Sequence, residues 1–304
     1  MLTQYLKHLV MRTPVETVLK QARQAVNRAR LLGRPELDAI HNEGSYVERA
    51  CRLLLTPESN TIDVGAHLGS QLALFLRLAA QGKHMAFEPV PHKARWLRRK
   101  FLQVDVRQTA LCESTHKRNF YVNVTNPGYS GLRPHAFDGD VVQEFAIEPS
   151  TLDSVVPLDH RVDLIKIDVE GAELSVLRGA VQLLARCRPT LVFESTRSAL
   201  GAHGVAPEDM FQFLEQNGYE VYLPRAFICF GRALDEDEFL EAHEYPFLAF
   251  NFIACAKERP FGRRLCGRAR GDVALSARSA RKQPSSPSAL RGTRPGSRAG
   301  SGSG

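Results

Sequence analysis

Five carboxylates stand where short apolar runs break off into turns. Asp63 lies inside Thr61-Ile62-Asp63-Val64-Gly65-Ala66-His67-Leu68-Gly69-Ser70, Glu88 ends His84-Met85-Ala86-Phe87-Glu88-Pro89, Asp168 and Glu170 follow the run 162–167, and Glu194 closes Arg188-Pro189-Thr190-Leu191-Val192-Phe193-Glu194. Glu88 comes 19 residues after Gly69, the offset at which an acid on a second strand tip accepts hydrogen bonds from both hydroxyls of a ribose. Asp168 and Glu170 are of a type to orient an ammonium group, act as a general base or hold a divalent cation, and their spacing leaves all three open. Gly65 and Gly69 let a backbone approach a ligand closely. A dinucleotide fingerprint G-x-G-x-x-G would need glycine at 65, 67 and 70, but His67 and Ser70 occupy the last two. That disfavours a pyrophosphate cradle and favours a smaller zwitterionic or nucleoside ligand.

Such residues converge only if strands deliver them to one edge. The run 61–64 turns at its glycines straight into Leu72, Leu74, Phe75, Leu76 and Leu78, a strand, a tight turn and a helix. The run 162–167 repeats the plan, with a helix expected from Glu173 to Leu184. In an open parallel sheet the tips of a first and a fourth strand face each other across a switch point, so Asp168 and Glu170 are expected beside Gly65. A third strand over 104–111 would set Thr109 and Ala110 at the same edge, where an adenine ring can lie. Phe120 to Val124 reads as an extra short strand. The turn Asn126-Pro127-Gly128-Tyr129-Ser130-Gly131-Leu132 after it is placed to cover the pocket, with Tyr129 and Ser130 on the acceptor side. Residues 92–103 form a basic helix, its charges read as a solvated face, with Trp96, Leu97 and Phe101 inward. Pro207 to Gln216 is a helix. The runs 219–223 and 250–255 lack a full crossover helix between them and read as an antiparallel pair finishing an otherwise parallel sheet.

Composition sets the outer limits. The chain has 304 residues, 43% of them hydrophobic, and a formal charge of +7, but residues 261–304 alone carry +9, which leaves −2 for the rest. A nearly neutral folded part gives no ground for a nucleic-acid groove. Six cysteines are scattered with no C-x-x-C pair, as free thiols in a reducing compartment would be. No apolar run approaches the roughly 20 residues of a membrane span and no secretory segment opens the chain, so a cytoplasmic protein is expected. Three regions follow: an N-terminal helical extension over 1–44, with a capping-box start at Thr13-Pro14-Val15-Glu16; a cofactor-binding domain over 45–258, entered by a short helix from Tyr46 to Leu55; and a disordered Arg/Ser/Gly/Pro-rich tail over 259–304.

A nucleoside site without a phosphate cradle, rimmed by acids, fits S-adenosylmethionine. The strings Ile62 to Gly69, Ala86-Phe87-Glu88-Pro89, Leu164-Ile165-Lys166-Ile167-Asp168-Val169-Glu170-Gly171-Ala172-Glu173 and Val176-Leu177-Arg178-Gly179-Ala180 together resemble the FkbM family of S-adenosylmethionine-dependent methyltransferases, over about residues 59–196. The resemblance implies an α/β fold, the doubly wound, mostly parallel seven-stranded class I methyltransferase (Rossmann-like) sheet with its last strand antiparallel. It also implies O-methylation of a hydroxyl, commonly on sugars, glycans or polyketide-type products. The family usually has asparagine where this chain has His67. On this reading Asp63, Gly65, His67, Gly69, Glu88, Thr109 and Ala110 bind the cofactor, Asp168 and Glu170 carry catalysis, and Tyr129, Ser130 and Glu194 meet the acceptor. A metal-assisted variant through Asp168 and Glu194 stays open, although no metal is assigned. A catalytically silent scaffold is the alternative of a different class, and NAD(P)-dependent oxidoreduction is disfavoured by the missing glycine.

Overall fold

Apolar runs with no polar alternation are what strands covered on both faces require. The computed structural model, which describes residues 37–134, 136–229 and 231–258, places four such runs side by side in one sheet. In chain order the elements are α1 (Asp38–Leu54), β1 (Thr61–Val64), α2 (Ser70–Leu78), β2 (His84–Phe87), α3 (Pro91–Lys100) and β3 (Val104–Arg107). A separate antiparallel pair follows, β4 (Arg118–Asn123) and β5 (Val142–Ile147). The alternation then resumes with α4 (Leu152–Val155), β6 (Leu164–Ile167), α5 (Glu173–Arg178), α6 (Val181–Cys187), β7 (Thr190–Glu194), α7 (Arg197–Ala202) and α8 (Pro207–Gln216). It ends with β8 (Tyr219–Tyr222), α9 (Pro224–Ile228), α10 (Glu236–Ala242) and β9 (Asn251–Ala256).

The main sheet has seven strands in the order β3-β2-β1-β6-β7-β9-β8. β9 alone is reversed, pairing antiparallel with β7 and with β8. The doubly wound sheet with its antiparallel last strand is therefore present. β1 lies between β2 and β6, Val64 paired in register with Phe87 on one side and Ile167 on the other. The chain leaves β1 one way and later returns on its other side, so a crevice opens where those three strands end. Beneath it Ile62, Val64, Phe87, Ile165, Ile167, Leu174 and Phe193 form one buried cluster, and Leu72, Leu76, Leu97 and Phe101 pack on the opposite face.

Three elements differ from the pattern-based expectation. α1 starts eight residues ahead of Tyr46, runs unbroken across positions 44 and 45, and reaches the last strand through Glu43. One oxygen of that carboxylate accepts from the backbone N–H of Phe250 (2.7 Å) and Asn251 (2.9 Å), the other from the Asn251 side-chain amide (2.8 Å). The helix expected from Glu173 to Leu184 is two, α5 and α6, joined at Gly179, where a Cβ would lie 2.4 Å from the Cys112 carbonyl oxygen. The short strand at 120–124 is β4, and its partner β5 gives a small sheet beside the crevice. The helical reading of residues 13–30 and the tail at 259–304 lie outside the described residues.

Candidate active site

The crevice begins with two turns that only certain backbones can make. Gly65, φ +76°, follows β1 so closely against the end of β6 that a Cβ would sit 1.9 Å from the Asp168 carbonyl oxygen. Its N–H and that of Ala66 both donate to the Phe87 carbonyl, which binds the turn to β2. His67 is left-handed too, at φ +50°, a region in which asparagine is at home and histidine less so. Its backbone N–H donates to Glu88 Oε2 at 2.9 Å, and the Val90 N–H donates to Glu88 Oε1 at 2.9 Å. Glu88 is 4% exposed; burial pushes its pKa up, opposed by Lys93 and the two backbone bonds. Each of its oxygens still has a lone pair beyond the N–H it accepts.

Gly69 does a different task from the one its spacing implied. At φ +85°, it stands just before α2, and a Cβ there would meet Phe101 at 2.3 Å and Leu97 at 2.9 Å. The glycine lets α2 and α3 close together, and it does not line the crevice.

At the other lip, the strand β6 carries a lysine among apolar residues. Lys166 is 12% exposed, with its Nζ 3.0 Å from Asp168 Oδ2 and 3.8 Å from the fully buried Asp63. Burial works against the charge of Lys166, but Asp168 and Asp63 outweigh it and its pKa is raised. Burial also works against the charge of Asp168; Lys166 and a hydrogen bond with Glu194 prevail and keep its pKa low. Glu194, at the tip of β7, has its pKa pushed up by burial and by the Asp168 charge. Glu170 is left-handed at φ +58°, and burial, Asp168 and Glu173 raise it to about 8. Its turn is held by Glu173, 1% exposed, whose Oε1 accepts the N–H groups of Val169 (2.8 Å) and Gly171 (3.2 Å). Oxygens of Asp168, Glu170 and Glu194 lie within 4.8 Å of one another, a set of hard ligands that could hold a divalent cation.

These two lips enclose a cavity of about 220 Å³. Gly65, His67, Glu88, Thr109, Ala110, Ser130, Asp168 and Glu170 all line it. Asp63, Gly69, Tyr129 and Glu194 do not: Asp63 is fully buried, Glu194 has an oxygen within 4.8 Å of those of Asp168 and Glu170, and Tyr129 is an exposed residue packed edge-on against Phe137 at 5.1 Å. The Ser130 hydroxyl donates to the Pro127 carbonyl (3.0 Å) and accepts the Asn123 N–H (3.2 Å), fastening the covering turn. The solvated face expected for α3 needs correction at Lys93. It is 4% exposed, lines the cavity and donates to the Pro127 carbonyl at 3.0 Å. Burial lowers its pKa, and Glu88 and Glu170 pull the other way. Its spacing to Leu97 and Phe101, four and eight residues, was the signal that it faces inward.

The family model described as "Methyltransferase FkbM domain" matches residues 63–221, a stretch that includes every cavity-lining residue just named. The chain belongs to the FkbM methyltransferase family. No curated protein matches it. Among solved structures it is similar to the methyltransferase FkbM of Methylobacillus flagellatus KT (17% identity, TM-score 0.41), over 66% of this chain and 44% of that one, and so spans less than half its length. It is also similar to the precorrin-6y C5,15-methyltransferase of Geobacter metallireducens GS-15 (18% identity, 58% and 71% covered, TM-score 0.33). A third is a proposed methyltransferase of Streptococcus mutans solved in complex with SAH (10% identity, 59% and 86% covered, TM-score 0.36). Identities this low speak to no acceptor.

The cofactor of this family's methyltransferase domain is S-adenosylmethionine, and the residues present fit it. Three carboxylates and one buried lysine line the cavity, and among the described residues no arginine does, which suits a ribose and a cationic ligand better than a phosphate. The Gly69 position, where a phosphate cradle would need open backbone, is filled by Phe101 and Leu97.

Proposed function

We propose that this chain methylates a hydroxyl oxygen of a sugar, glycan or polyketide-type small molecule. The observation that carries the reading is the convergence of Glu88 from β2 with Asp168 and Glu170 from β6 on one cavity at the carboxyl ends of the strands. When bound, S-adenosylmethionine supplies a methyl carbon that is already electrophilic, so the protein's work is alignment and proton removal.

Glu88 accepts hydrogen bonds from the ribose hydroxyls, held in place by the backbone N–H groups of His67 and Val90. Thr109 and Ala110 border the adenine side. The two remaining acids divide the chemistry by their environments. Asp168, kept ionised by Lys166, stabilises the ligand's positive charge and does not compete for the acceptor's proton. Glu170, with a pKa of about 8, is matched to neutral pH and takes the proton from the acceptor hydroxyl as the new bond forms. Glu173 and Gly171 position that carboxylate through the backbone and touch nothing that reacts.

Among the described residues no helix is long and apolar enough to cross a membrane. Cys51, Cys112, Cys187, Cys229 and Cys255 are free thiols, which suits a reducing cytoplasm as the place of action. The test is incubation with methyl-labelled S-adenosylmethionine and extracts of glycans and small molecules, followed by mass spectrometry. Label on an oxygen supports the reading; label on nitrogen or carbon alone overturns O-methylation.

A further inference from the structure

A second, open cavity of about 590 Å³ adjoins the first and shares Leu132 and Ala172 with it as a common wall. Its character is opposite. Lys117, Arg118, Arg133 and Arg178 line it, with Glu113 the only acid there among the described residues. Glu113 is taken by Arg178, at 3.8 Å, and among the described residues no carboxylate lies within 4 Å of Lys117, Arg118 or Arg133. The rest of the chain outside 261–304 has a formal charge of −2, so this is a local excess of cations over acids and not a share of a general basic surface.

The fold gathers them. Tyr121 of β4 and Gly131 exchange backbone hydrogen bonds of 2.9 and 3.0 Å as an isolated antiparallel bridge. Arg133 lies two residues beyond that bridge on one side, and Asn119 and Arg118 lie two and three residues before it on the other. His203 lines the same cavity as Arg118 and Arg133, and burial, Arg133 and Arg118 lower its pKa. Like charges converging in a concave site repel one another unless an anion is bound between them, and paired guanidinium groups match phosphate and carboxylate oxygens.

We propose that this second cavity is the acceptor subsite for an anionic group, so that the molecule methylated at the first cavity carries a phosphate or carboxylate on the far side of Leu132. This rests on the first cavity being the site of methyl transfer. A nucleic-acid backbone is the less fitting occupant, because among the described residues only Tyr121 and the imidazole of His203 put aromatic rings in the lining, whereas single-stranded binding grooves stack successive bases on aromatics.

The experiment is calorimetry on the full chain saturated with S-adenosylhomocysteine, titrated with inorganic phosphate, glucuronate, glucose and a short single-stranded RNA. Phosphate or glucuronate should bind and glucose should not, and whichever anion binds names the group. The double substitution Arg118→Gln, Arg133→Gln should weaken that anion about tenfold or more, about 1.4 kcal/mol, with S-adenosylhomocysteine affinity and melting temperature unchanged; Lys117→Gln, which removes one ammonium and leaves both guanidinium groups, should weaken it less. Anion affinity indifferent to these substitutions, or no anion binding by a protein that binds S-adenosylhomocysteine, overturns the inference. RNA binding tighter than either anion also overturns it, in favour of a nucleic-acid acceptor. Failure to bind S-adenosylhomocysteine would instead bring down the methyltransferase reading itself.

Discussion

Replacing Glu88 with glutamine separates two functions that the structure assigns to one carboxylate. The side chain receives the backbone N–H groups of His67 and Val90, both at 2.9 Å, and it is the proposed acceptor for both ribose hydroxyls. Glutamine keeps one oxygen and replaces the other by an NH₂ group, so one of the two N–H donors faces another donor. Leaving a buried donor unmatched costs about 1–3 kcal/mol, and at about 2–4 °C per kcal/mol for a domain of this size the melting temperature should fall by about 2–12 °C. The effect on the ligand is distinct. Hydrogen bonds to a charged group exceed neutral ones by about 1 kcal/mol each, so two weakened bonds amount to about 2 kcal/mol, or about 30-fold in affinity. Calorimetric titration of S-adenosylhomocysteine, with a thermal melt on the same preparation, reads both numbers. Because burial raises the Glu88 pKa, wild-type affinity should also weaken as pH falls through that value, and the glutamine variant should lose this dependence. A variant that melts lower but binds within threefold of wild type would mean that Glu88 only fastens the turn, and the ribose assignment would be wrong.

Other residues give independent readouts. Turnover should rise with pH through about 8 as Glu170 ionises, and Glu170→Gln should abolish that rise and lower kcat about 10²–10⁴-fold; a flat wild-type profile would remove Glu170 as the base. The same raised carboxyl makes the folded state lose stability as pH climbs from the ordinary carboxylate range to about 8, since the native form holds its proton longer than the unfolded chain, so denaturant melts of the variant should depend less on pH across that window. His67→Asn should leave cofactor affinity and stability unchanged or improved, because the short asparagine side chain visits the left-handed region readily; a large loss of affinity would show that the imidazole itself contacts the ligand. Glu43→Ala strips three donors of their acceptor at the junction of α1 and β9 and should cost about 3 kcal/mol in urea unfolding; a change below 0.5 kcal/mol would mean α1 is not anchored there.

Strand tips were legible in the sequence because a buried parallel strand has to be apolar throughout, so an acid marks its end. That rule located Glu88, Asp168 and Glu194, and the reversal at β9 followed from the missing crossover. Charged residues whose burial depends on distant partners were harder to see. Lys93 looked solvated among the arginines of α3 because its counter-ions, Glu88 and Glu170, come from other strands, although its i+4 and i+8 spacing to Leu97 and Phe101 was available. Glu43 shares a helical face with Val47, Ala50, Cys51 and Leu54, but Gly44 and the polar residues around it masked the start of α1. Lys166 is a further case: a lysine inside an apolar strand needs a paired partner, and the structure supplies Asp168 and Asp63. Gly69 shows a second demand on a glycine: its spacing points to a ligand, and in the structure a Cβ there would also meet Phe101.

The central claim is a single S-adenosylmethionine site at the ends of β1, β2 and β6. Equilibrium dialysis of the full chain against labelled S-adenosylmethionine tests it most directly. The structure predicts saturation at one molecule per chain, displaced by S-adenosylhomocysteine and untouched by NAD; no saturable binding, or displacement by NAD, would contradict it.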